Sequence, residues 1–314
     1  MKILVTGCCG FIGSNVCEYL LKRGDTVLGI DYMDNYYDIK QKEQNLEILN
    51  KYPNFEFRKE DIRDTNSISE WKPDIVCNLA SMAGVRHSIL HPKMYVDINI
   101  NGQIHLIQEC IKNNVKHFVY ASSSSVYGLN TKIPFSEDDP IDFCNSPYSC
   151  SKASMERFAK MYSQIYDIST IGLRFFTVYG PRGRPDMFFF ILLKAMIQDK
   201  EFEKFGNGDS ARDYTYIDDI VSGVVASIDN KKNIKCGVYN LGNSTSVTLN
   251  EAISLCEKVV GKKENYKQME IPDGDVPFTL GDITKAERDL WYFPKTGLEE
   301  GLTNTYEWLK NYKT

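Results

Sequence analysis

The sequence feature that most constrains the fold is a glycine-rich loop between a short apolar strand and a helix. Lys2–Thr6 is an apolar run with β-branched residues, and it stops at Gly7-Cys8-Cys9-Gly10-Phe11-Ile12-Gly13. Helical periodicity then extends from Phe11 to Arg23 and ends at Gly24. Glycines at such a turn let the backbone approach a pyrophosphate, and the helix N-terminus supplies unpaired N–H groups. The loop therefore predicts dinucleotide binding, with contacts from Gly7, Gly10, Phe11, Ile12 and Gly13.

Acidic and small residues at the ends of the next strands suit a bound dinucleotide, and Asp31 favours NAD over NADP. Asp31 ends the strand candidate Thr26–Ile30, where a carboxylate accepts hydrogen bonds from ribose hydroxyls and repels a 2′-phosphate. Asp61-Ile62 follows the strand candidate Phe55–Phe57 and suits the adenine ring, although Asp61 could instead be a helix cap. Leu79-Ala80-Ser81 ends the fourth strand, where small side chains let a cofactor lie close.

Strand and helix patterns alternate along the first 180 residues. Further strand candidates are Asp74–Leu79, His117–Ser122 and Thr170–Phe175, and the helix candidates between them are Pro92–Asn113 and Tyr148–Tyr166. The alternation predicts an α/β fold, a Rossmann-type doubly wound parallel sheet. We expect residues 1–180 to form the NAD-binding domain. Residues 181–314 should form mainly a smaller C-terminal α/β substrate-binding part, with some later segments crossing back.

Composition and charge exclude several classes of protein. The 314 residues carry a net charge of −5, so no general attraction to nucleic acid or to an anionic membrane is expected. The longest apolar run near the middle, Met187–Leu193, is too short to span a bilayer. No signal segment precedes the first strand, and nine scattered cysteines suggest reduced thiols, so we expect a cytoplasmic protein. The four histidines lack metal-binding spacing, and no metal is expected.

Two further motifs indicate acid–base chemistry. Tyr148 and Lys152 lie at positions i and i+4 of a helix, so the ammonium group could lower the pKa of the phenol and make it a general base. A lone pair of this kind is also typical of an ordinary helix surface. The serine run Ser122–Ser125 ends the fifth strand, where doubly wound sheets bind ligands. Ser123 could hydrogen-bond the substrate oxygen that Tyr148 deprotonates.

Together these motifs resemble the extended short-chain dehydrogenases/reductases of the nucleotide-sugar epimerase and dehydratase group. The resemblance also includes Arg212-Asp213-Tyr214-Thr215-Tyr216-Ile217-Asp218-Asp219 and Tyr239-Asn240-Leu241-Gly242, and it covers nearly the whole chain. It implies NAD as cofactor, a UDP-sugar substrate and a homodimer. It also implies that Asn99 contacts the cofactor, although in isolation Asn99 would be interpreted as a solvated helix residue.

The serine run argues against two reactions of that group. Sugar-nucleotide 4,6-dehydratases resemble T-D-E-V-Y-G at this strand end, and their Asp and Glu act as acid and base. Aligned on Val126-Tyr127-Gly128, this chain has Ser123, Ser124 and Ser125. UDP-glucuronate decarboxylases typically carry an acidic residue in place of Ser125. Oxidation and reduction at one carbon, the chemistry of an epimerase, remains.

Three stretches match the UDP-glucuronate 4-epimerase branch: Ala83–Arg86, Thr177–Met187 and Gly274–Thr279. By that resemblance Arg184 pairs with the hexuronate carboxylate, assisted by Ser124 and Ser125, and Arg212 binds the pyrophosphate. The other implied substrate contacts are Arg86, Ser123, Thr177 and Asp275. Arg182 competes with Arg184 for the role, and either arginine could instead belong to a solvated loop. An arginine that galactose epimerases carry near the position of Asp275 is missing, which leaves the second phosphate contact open.

The resulting hypothesis is NAD-dependent 4-epimerisation of UDP-glucuronate to UDP-galacturonate by transient oxidation at C4, with Tyr148 as base. The alternatives are a UDP-glucose or UDP-N-acetylglucosamine 4-epimerase, a nucleotide-sugar 4,6-dehydratase, and a non-catalytic NAD-sensing or scaffold protein.

Overall fold

The structure is a computed structural model that describes residues 1–270 and 276–312. The strands are β1 Lys2–Thr6, β2 Thr26–Ile30, β3 Phe55–Arg58, β4 Ile75–Asn78, β5 His117–Ser123, β6 Ser169–Phe175, β7 Thr177–Tyr179, β8 Phe202–Phe205, β9 Ala211–Tyr216, β10 Cys236–Leu241, β11 Ser246–Thr248 and β12 Tyr266–Met269. The helices are α1 Phe11–Lys22, α2 Ile39–Leu49, α3 Ser67–Trp71, α4 Val85–Leu90, α5 Pro92–Tyr95, α6 Gly102–Lys112, α7 Pro147–Ile165, α8 Phe188–Ile197, α9 Ile217–Asp229, α10 Leu249–Val260, α11 Thr284–Leu290 and α12 Leu298–Lys310.

A seven-stranded parallel sheet forms the centre of the molecule. Its strand order is β10-β6-β5-β4-β1-β2-β3, and every neighbouring pair is parallel. The chain winds outward from β1 in one direction and from β4 in the other, so the direction of winding switches between these two strands. Ligands of such sheets bind beyond the carboxyl ends of the strands at this switch. The sheet confirms the predicted doubly wound α/β fold.

The helix expected over Pro92–Asn113 differs from the one observed. The chain instead forms α5, a π-helical segment at Val96–Asn101, and α6. A π-helical segment widens the backbone locally, and such segments are frequent at functional sites. Apolar periodicity continues through all three pieces, so the sequence pattern gave no sign of the change.

The C-terminal segments divide between the large sheet and two small ones. Strand β10 pairs with β6 at one edge of the large sheet, and α9 packs against α1. The small sheets have the strand orders β11-β9-β7 and β12-β8. The division at residue 180 stays a prediction, and β10 is a later segment that lies in the large sheet. Across residues 1–270 and 276–312, no helix has the length and apolar character needed to cross a membrane.

Candidate active site

A cavity of about 950 Å³ opens at the carboxyl ends of the central strands. Eighteen of the residues predicted from the sequence line it: Gly7, Gly10, Phe11, Ile12, Gly13, Asp31, Asp61, Ile62, Leu79, Ala80, Ser81, Ser123, Ser124, Ser125, Tyr148, Lys152, Thr177 and Arg184. The structure thus brings the predicted cofactor loop, the predicted base and the predicted carboxylate-binding arginine into one space.

The glycine loop leaves no room for side chains where the backbone crosses itself. Gly7 has φ +69°, and its N–H donates to the Ile30 carbonyl at 2.7 Å. A Cβ atom at Gly13 would lie 2.0 Å from the Gly7 oxygen, and a Cβ at Gly7 would lie 2.9 Å from the Ala80 nitrogen. The open backbone and the start of α1 form a cradle of the kind that holds a pyrophosphate. The residues present therefore fit a dinucleotide such as NAD.

Asp31 connects this loop to the position expected for a ribose. Its Oδ2 accepts from the Cys9 N–H at 3.1 Å, and its Oδ1 accepts from the Met33 N–H at 2.8 Å. A residue that the sequence analysis missed lies beside it. The buried ammonium group of Lys42 is 3.7 Å from Asp31 Oδ1 and 2.6 Å from Asp34 Oδ2, and Lys42 also lines the cavity.

The proposed base lies on the first turn of α7. Pro147 occupies the start of that helix, and Ser146 and Ser149 form a reciprocal capping box that fixes its N-terminus. Burial raises the pKa of the Tyr148 phenol, while the Ser123 hydroxyl and the positive charge of Arg184 act in the opposite direction. Ser123 and Arg184 therefore both lie close enough to stabilise the phenolate.

Lys152 lies beside Tyr148 and is held there by two hydrogen bonds to other elements. Its Nζ donates to Ser81 Oγ at 2.9 Å and to the Ala121 carbonyl at 2.8 Å, and it lies 5.9 Å from the centroid of the Tyr148 ring. Burial lowers the pKa of the ammonium to about 7, despite the opposing charge of Glu156. Lys152 thus connects β5 to the segment after β4, and its effect on the Tyr148 phenolate stays a prediction.

The members of the serine run have different surroundings. Ser122 Oγ donates to Glu156 Oε1 at 2.5 Å, and Glu156 also forms a buried bidentate pair with Arg174. Ser123 Oγ lies 3.1 Å from both the Oγ and the N–H of Ser125. Glu156 is thus engaged in an ion pair and does not line the cavity. The carboxylates among the described lining residues come from the segments after β2 and β3 and from the π-helical segment: Asp31, Asp34, Glu60, Asp61 and Asp97.

The two candidate arginines of the loop after β7 point to different places. Arg182, with φ +65°, pairs with Glu18 on α1 and does not line the cavity. Arg184 lines it, and its guanidinium pairs with Asp186 through contacts of 2.9 and 2.6 Å. Hydrogen bonds from Arg184 lower the pKa of Asp186 even though burial opposes this. Of the two candidates, Arg184 is therefore the one available to a ligand in the cavity.

A second cavity of about 180 Å³ adjoins the first one. Arg86 and Arg212 line it, together with Ser124, Ser125 and Thr177, which line both cavities. Arg86 is exposed and lies over the Phe205 ring at 4.9 Å. These two arginines thus lie apart from Tyr148, in a separate lobe next to the serine run. Asp275 lies outside the described residues.

Asn99 is neither solvated nor part of the cavity wall. It is 1% exposed, and its amide pairs with both the N–H and the carbonyl of Met82 at 2.7 and 3.0 Å. Its Nδ2 also donates to Ser151 Oγ at 2.9 Å. The π-helical segment thus directs Asn99 toward the backbone after β4, where it holds a stretch that lines the cavity. The structure gives Asn99 a positioning role, and the expected cofactor contact stays a prediction.

Helix α2 contributes site residues that no motif indicated. Gln41 Nε2 donates to the carbonyls of Arg182 and Gly183, each at 2.7 Å, across 141 and 142 positions of sequence. Asn45 Nδ2 donates to the Cys9 carbonyl at 2.9 Å. The four-residue spacing of Gln41 and Asn45 places both amides on one helix face, but nothing local in the sequence indicates their distant partners.

Comparisons with known proteins agree with this geometry. Residues 4–305 match the family described as GDP-mannose 4,6 dehydratase. The chain is 40% identical to UDP-glucuronate 4-epimerase 2 of Arabidopsis thaliana, over 99% of this chain and 76% of that protein. Its fold matches the crystal structure of the Bacillus cereus UDP-glucuronic acid 4-epimerase in complex with UDP-glucuronic acid and NAD, with a TM-score of 0.94, 39% identity and 99% coverage of both chains. A Thermotoga maritima UDP-glucose 4-epimerase with UDP-glucose matches with a TM-score of 0.87, 30% identity and 99% coverage of both chains.

Proposed function

The chain belongs to the GDP-mannose 4,6 dehydratase family, and from that membership we propose that it is an NAD-dependent UDP-sugar 4-epimerase that converts UDP-glucuronate to UDP-galacturonate. Solved relatives hold NAD and a UDP-sugar, and the glycine cradle and Asp31 fit the cofactor here. The fold matches epimerases of a neutral sugar and of a hexuronate comparably well, so the choice of sugar depends on individual side chains.

The position of Arg184 is the observation that favours a hexuronate over a neutral sugar as the substrate. In the sugar, the carboxylate is attached to C5, next to the C4 atom where epimerisation takes place. Arg184 lines the same cavity as Tyr148, where burial raises the pKa of the phenol and the charge of Arg184 partly offsets that rise. A guanidinium can replace the water that a carboxylate loses on entering a cleft.

The chain's residues divide the reaction between them. Bound NAD supplies a nicotinamide that accepts the C4 hydride and later returns it. Tyr148 takes the proton of the C4 hydroxyl, and Ser123 hydrogen-bonds the same oxygen. Arg184 holds the carboxylate on one side. After the 4-keto sugar has presented its other face, Tyr148 gives the proton back to the C4 oxygen.

A dehydratase is the weaker alternative on this geometry. Eliminating water from the sugar needs an acid and a base beside the C4–C6 edge, and carboxylates normally supply them. The described carboxylates of the cavity lie toward the adenosine end, and the β5 edge offers Ser123, Ser124 and Ser125 instead. The Ser122 hydroxyl donates to Glu156, and Glu156 also pairs with Arg174.

The test is a substrate panel with product identification. The purified protein is incubated with NAD and, separately, with UDP-glucuronate, UDP-glucose and UDP-N-acetylglucosamine, and the products are assigned by NMR. We expect UDP-glucuronate to give UDP-galacturonate with the highest kcat/KM. Faster turnover of a neutral sugar would contradict the assignment, a 4-keto-6-deoxy product would indicate a dehydratase, and no turnover would favour a non-catalytic protein.

We also infer a homodimer and a cytoplasmic location. Large apolar side chains lie exposed on neighbouring segments of α4, α5 and α7: Ile89, Leu90, Met94, Phe158 and Ile165. Exposed apolar side chains that adjoin one another typically mark an interface, and a second copy of the chain is the partner that the family resemblance implies. All nine cysteines are free thiols, which suits a reducing compartment. Light scattering coupled to gel filtration tests the dimer.

A further inference from the structure

The arginine assigned to the sugar already holds a carboxylate from its own loop. Arg184 Nε donates to Asp186 Oδ1 at 2.9 Å and Nη2 donates to Oδ2 at 2.6 Å, which makes a bidentate pair. The Tyr36 ring lies 5.6 Å from the guanidinium carbon, and its hydroxyl donates to Asp186 Oδ2 at 3.5 Å. Arg184 therefore offers a ligand only its remaining N–H groups, and it does so beside a negative charge.

The environment of this pair differs from that of the buried bidentate pair between Arg174 and Glu156. Arg174 and Glu156 are 4% and 5% exposed, so separating them would leave uncompensated buried charges. Arg184 and Asp186 are 20% and 40% exposed. A partly solvated ion pair contributes little net free energy, because water replaces what each partner loses. Arg184 can therefore exchange carboxylate partners at little cost.

The reaction itself requires such an exchange. A 4-epimerase must return hydride to the opposite face of C4, so the oxidised sugar has to turn within the cavity and its C5 carboxylate has to move. An arginine without a competing partner would bind the carboxylate more tightly. It would stabilise the starting complex and slow the turning of the sugar. Equal binding of the ground state and of later states brings no gain in kcat.

On the basis of the proposed function, we propose that Asp186 competes with the hexuronate carboxylate for Arg184 and so keeps that contact weak enough to break while the 4-keto sugar turns. Asp186 is then a positioning residue that sets how tightly Arg184 holds the substrate. It exchanges no proton with the sugar.

The substitution Asp186→Asn separates the charge of Asp186 from its shape. Asparagine keeps one oxygen that can accept from Arg184, so one of the two hydrogen bonds remains while the competing charge is lost. In a Tyr148→Phe background, where turnover is blocked, calorimetry on the NAD-loaded protein should show UDP-glucuronate binding about tenfold more tightly, the scale of a strengthened charge-assisted contact. Binding of UDP-glucose should not change.

In the otherwise wild-type background, kcat and KM for UDP-glucuronate should fall together. A residue that served only the structure of the loop would lower kcat or raise KM, and would not tighten binding. Deuterium at C4 gives a second readout. As turning of the sugar becomes the slower step, the isotope effect on kcat should shrink below that of the wild type.

A matched control exists elsewhere on the surface. Arg288 and Asp289 form a bidentate pair of the same chemistry, at 2.9 and 2.8 Å, outside both cavities. Asp289→Asn should leave binding, kcat and KM unchanged. Asp186→Ser serves as a second variant if the asparagine form does not fold, with the same expected direction.

The outcomes distinguish this inference from the proposed function. If the wild type converts UDP-glucuronate but Asp186→Asn binds it more weakly or with unchanged affinity, Asp186 does not compete for Arg184 and this inference alone is wrong. If the wild type acts on UDP-glucose and not on UDP-glucuronate, the proposed function is wrong and the inference is overturned with it.

Discussion

The two ends of the cavity are built in different ways. At the cofactor end, main-chain atoms define the shape: Gly7 donates to Ile30, Cys9 donates to Asp31, and Gly13 lies where only a hydrogen atom fits. At the substrate end, charged side chains define it, above all Arg184 and the Asp186 that holds it. The cofactor loop is therefore a rigid feature of the fold, whereas the substrate end contains a partly exposed ion pair, Arg184–Asp186, that can exchange partners.

The cofactor has to stay bound through many cycles, whereas the contacts to the sugar have to break within each cycle. A cofactor regenerated in each cycle benefits from a fixed cradle, because a preorganised site loses less free energy when the ligand binds. A sugar that has to present both faces requires contacts that can form and break. Tyr148 lies between the two ends. Substitutions at Tyr148, at the cofactor end and at the substrate end therefore test whether the two ends have these different roles.

The largest effect is expected from Tyr148→Phe, which removes the proposed proton acceptor and keeps the ring. The rate of epimerisation should fall roughly 10²–10⁴-fold, the usual scale for general acid–base catalysis, with UDP-sugar affinity little changed. Steady-state kinetics and calorimetry measure the two quantities. Tyr162→Phe is the matched control, because it removes a hydroxyl from the same helix outside the cavity. Near-normal turnover of the Tyr148 variant would mean that another group is the base.

At the cofactor end, Gly13→Ala should break the cradle. The added Cβ would lie 2.0 Å from the Gly7 oxygen, which is main chain and cannot rotate away. We expect NAD affinity, measured by fluorescence titration, to fall roughly a hundredfold, the scale of a lost charge-assisted contact. Gly297→Ala, where a Cβ meets nothing within 4 Å, is the control. An unchanged affinity for NAD would show that the loop is not the cofactor site.

The two ends also differ in how much the sequence predicts. The strand, the glycine loop, α1 and Asp31 lie within 31 residues, and each takes its shape from its neighbours, so a local pattern suffices. Gln41 reaches the Arg182 carbonyl across 141 positions, and Tyr36 reaches Asp186 across 150. Such contacts depend on how α2 and the segment before it pack, which no local pattern contains. The burial of Asn99 escapes the sequence pattern for the same reason, because its partners Met82 and Ser151 lie 17 and 52 positions away.

At the substrate end, Arg184→Ala should change the choice of sugar. Loss of a charge-assisted contact is worth about 1.5–3 kcal/mol, so the preference for UDP-glucuronate over UDP-glucose should fall roughly ten- to a hundredfold. The ratio of the two kcat/KM values measures it. Arg182→Ala in the same loop removes the partner of Glu18 and should affect both sugars alike. Equal losses with both sugars in the Arg184 variant would contradict the hexuronate assignment and favour a neutral-sugar epimerase.

The remaining prediction concerns stability instead of activity: Lys152 lies between the two ends, and its burial makes the free energy of unfolding depend on pH. Its pKa is lowered to about 7 in the folded chain, against about 10.4 for an unfolded lysine. Between these values the unfolded chain binds more protons, so the free energy of unfolding contributed by Lys152 rises with pH, by at most about 1.4 kcal/mol per pH unit. Below about pH 7 both states carry the proton and this contribution no longer changes.

Lys152→Met keeps the length of the side chain and removes the titration. Urea unfolding of the cofactor-free protein from about pH 7 to pH 10 should therefore show a rise in stability for the wild type relative to the variant. Other titrating groups are common to both proteins and cancel in the difference. A difference that stays constant over this range would mean that Lys152 keeps its proton in the folded chain. The ammonium would then be charged at neutral pH and could act on the Tyr148 phenolate after all, which would make the base dependent on the cofactor end as well as on Arg184.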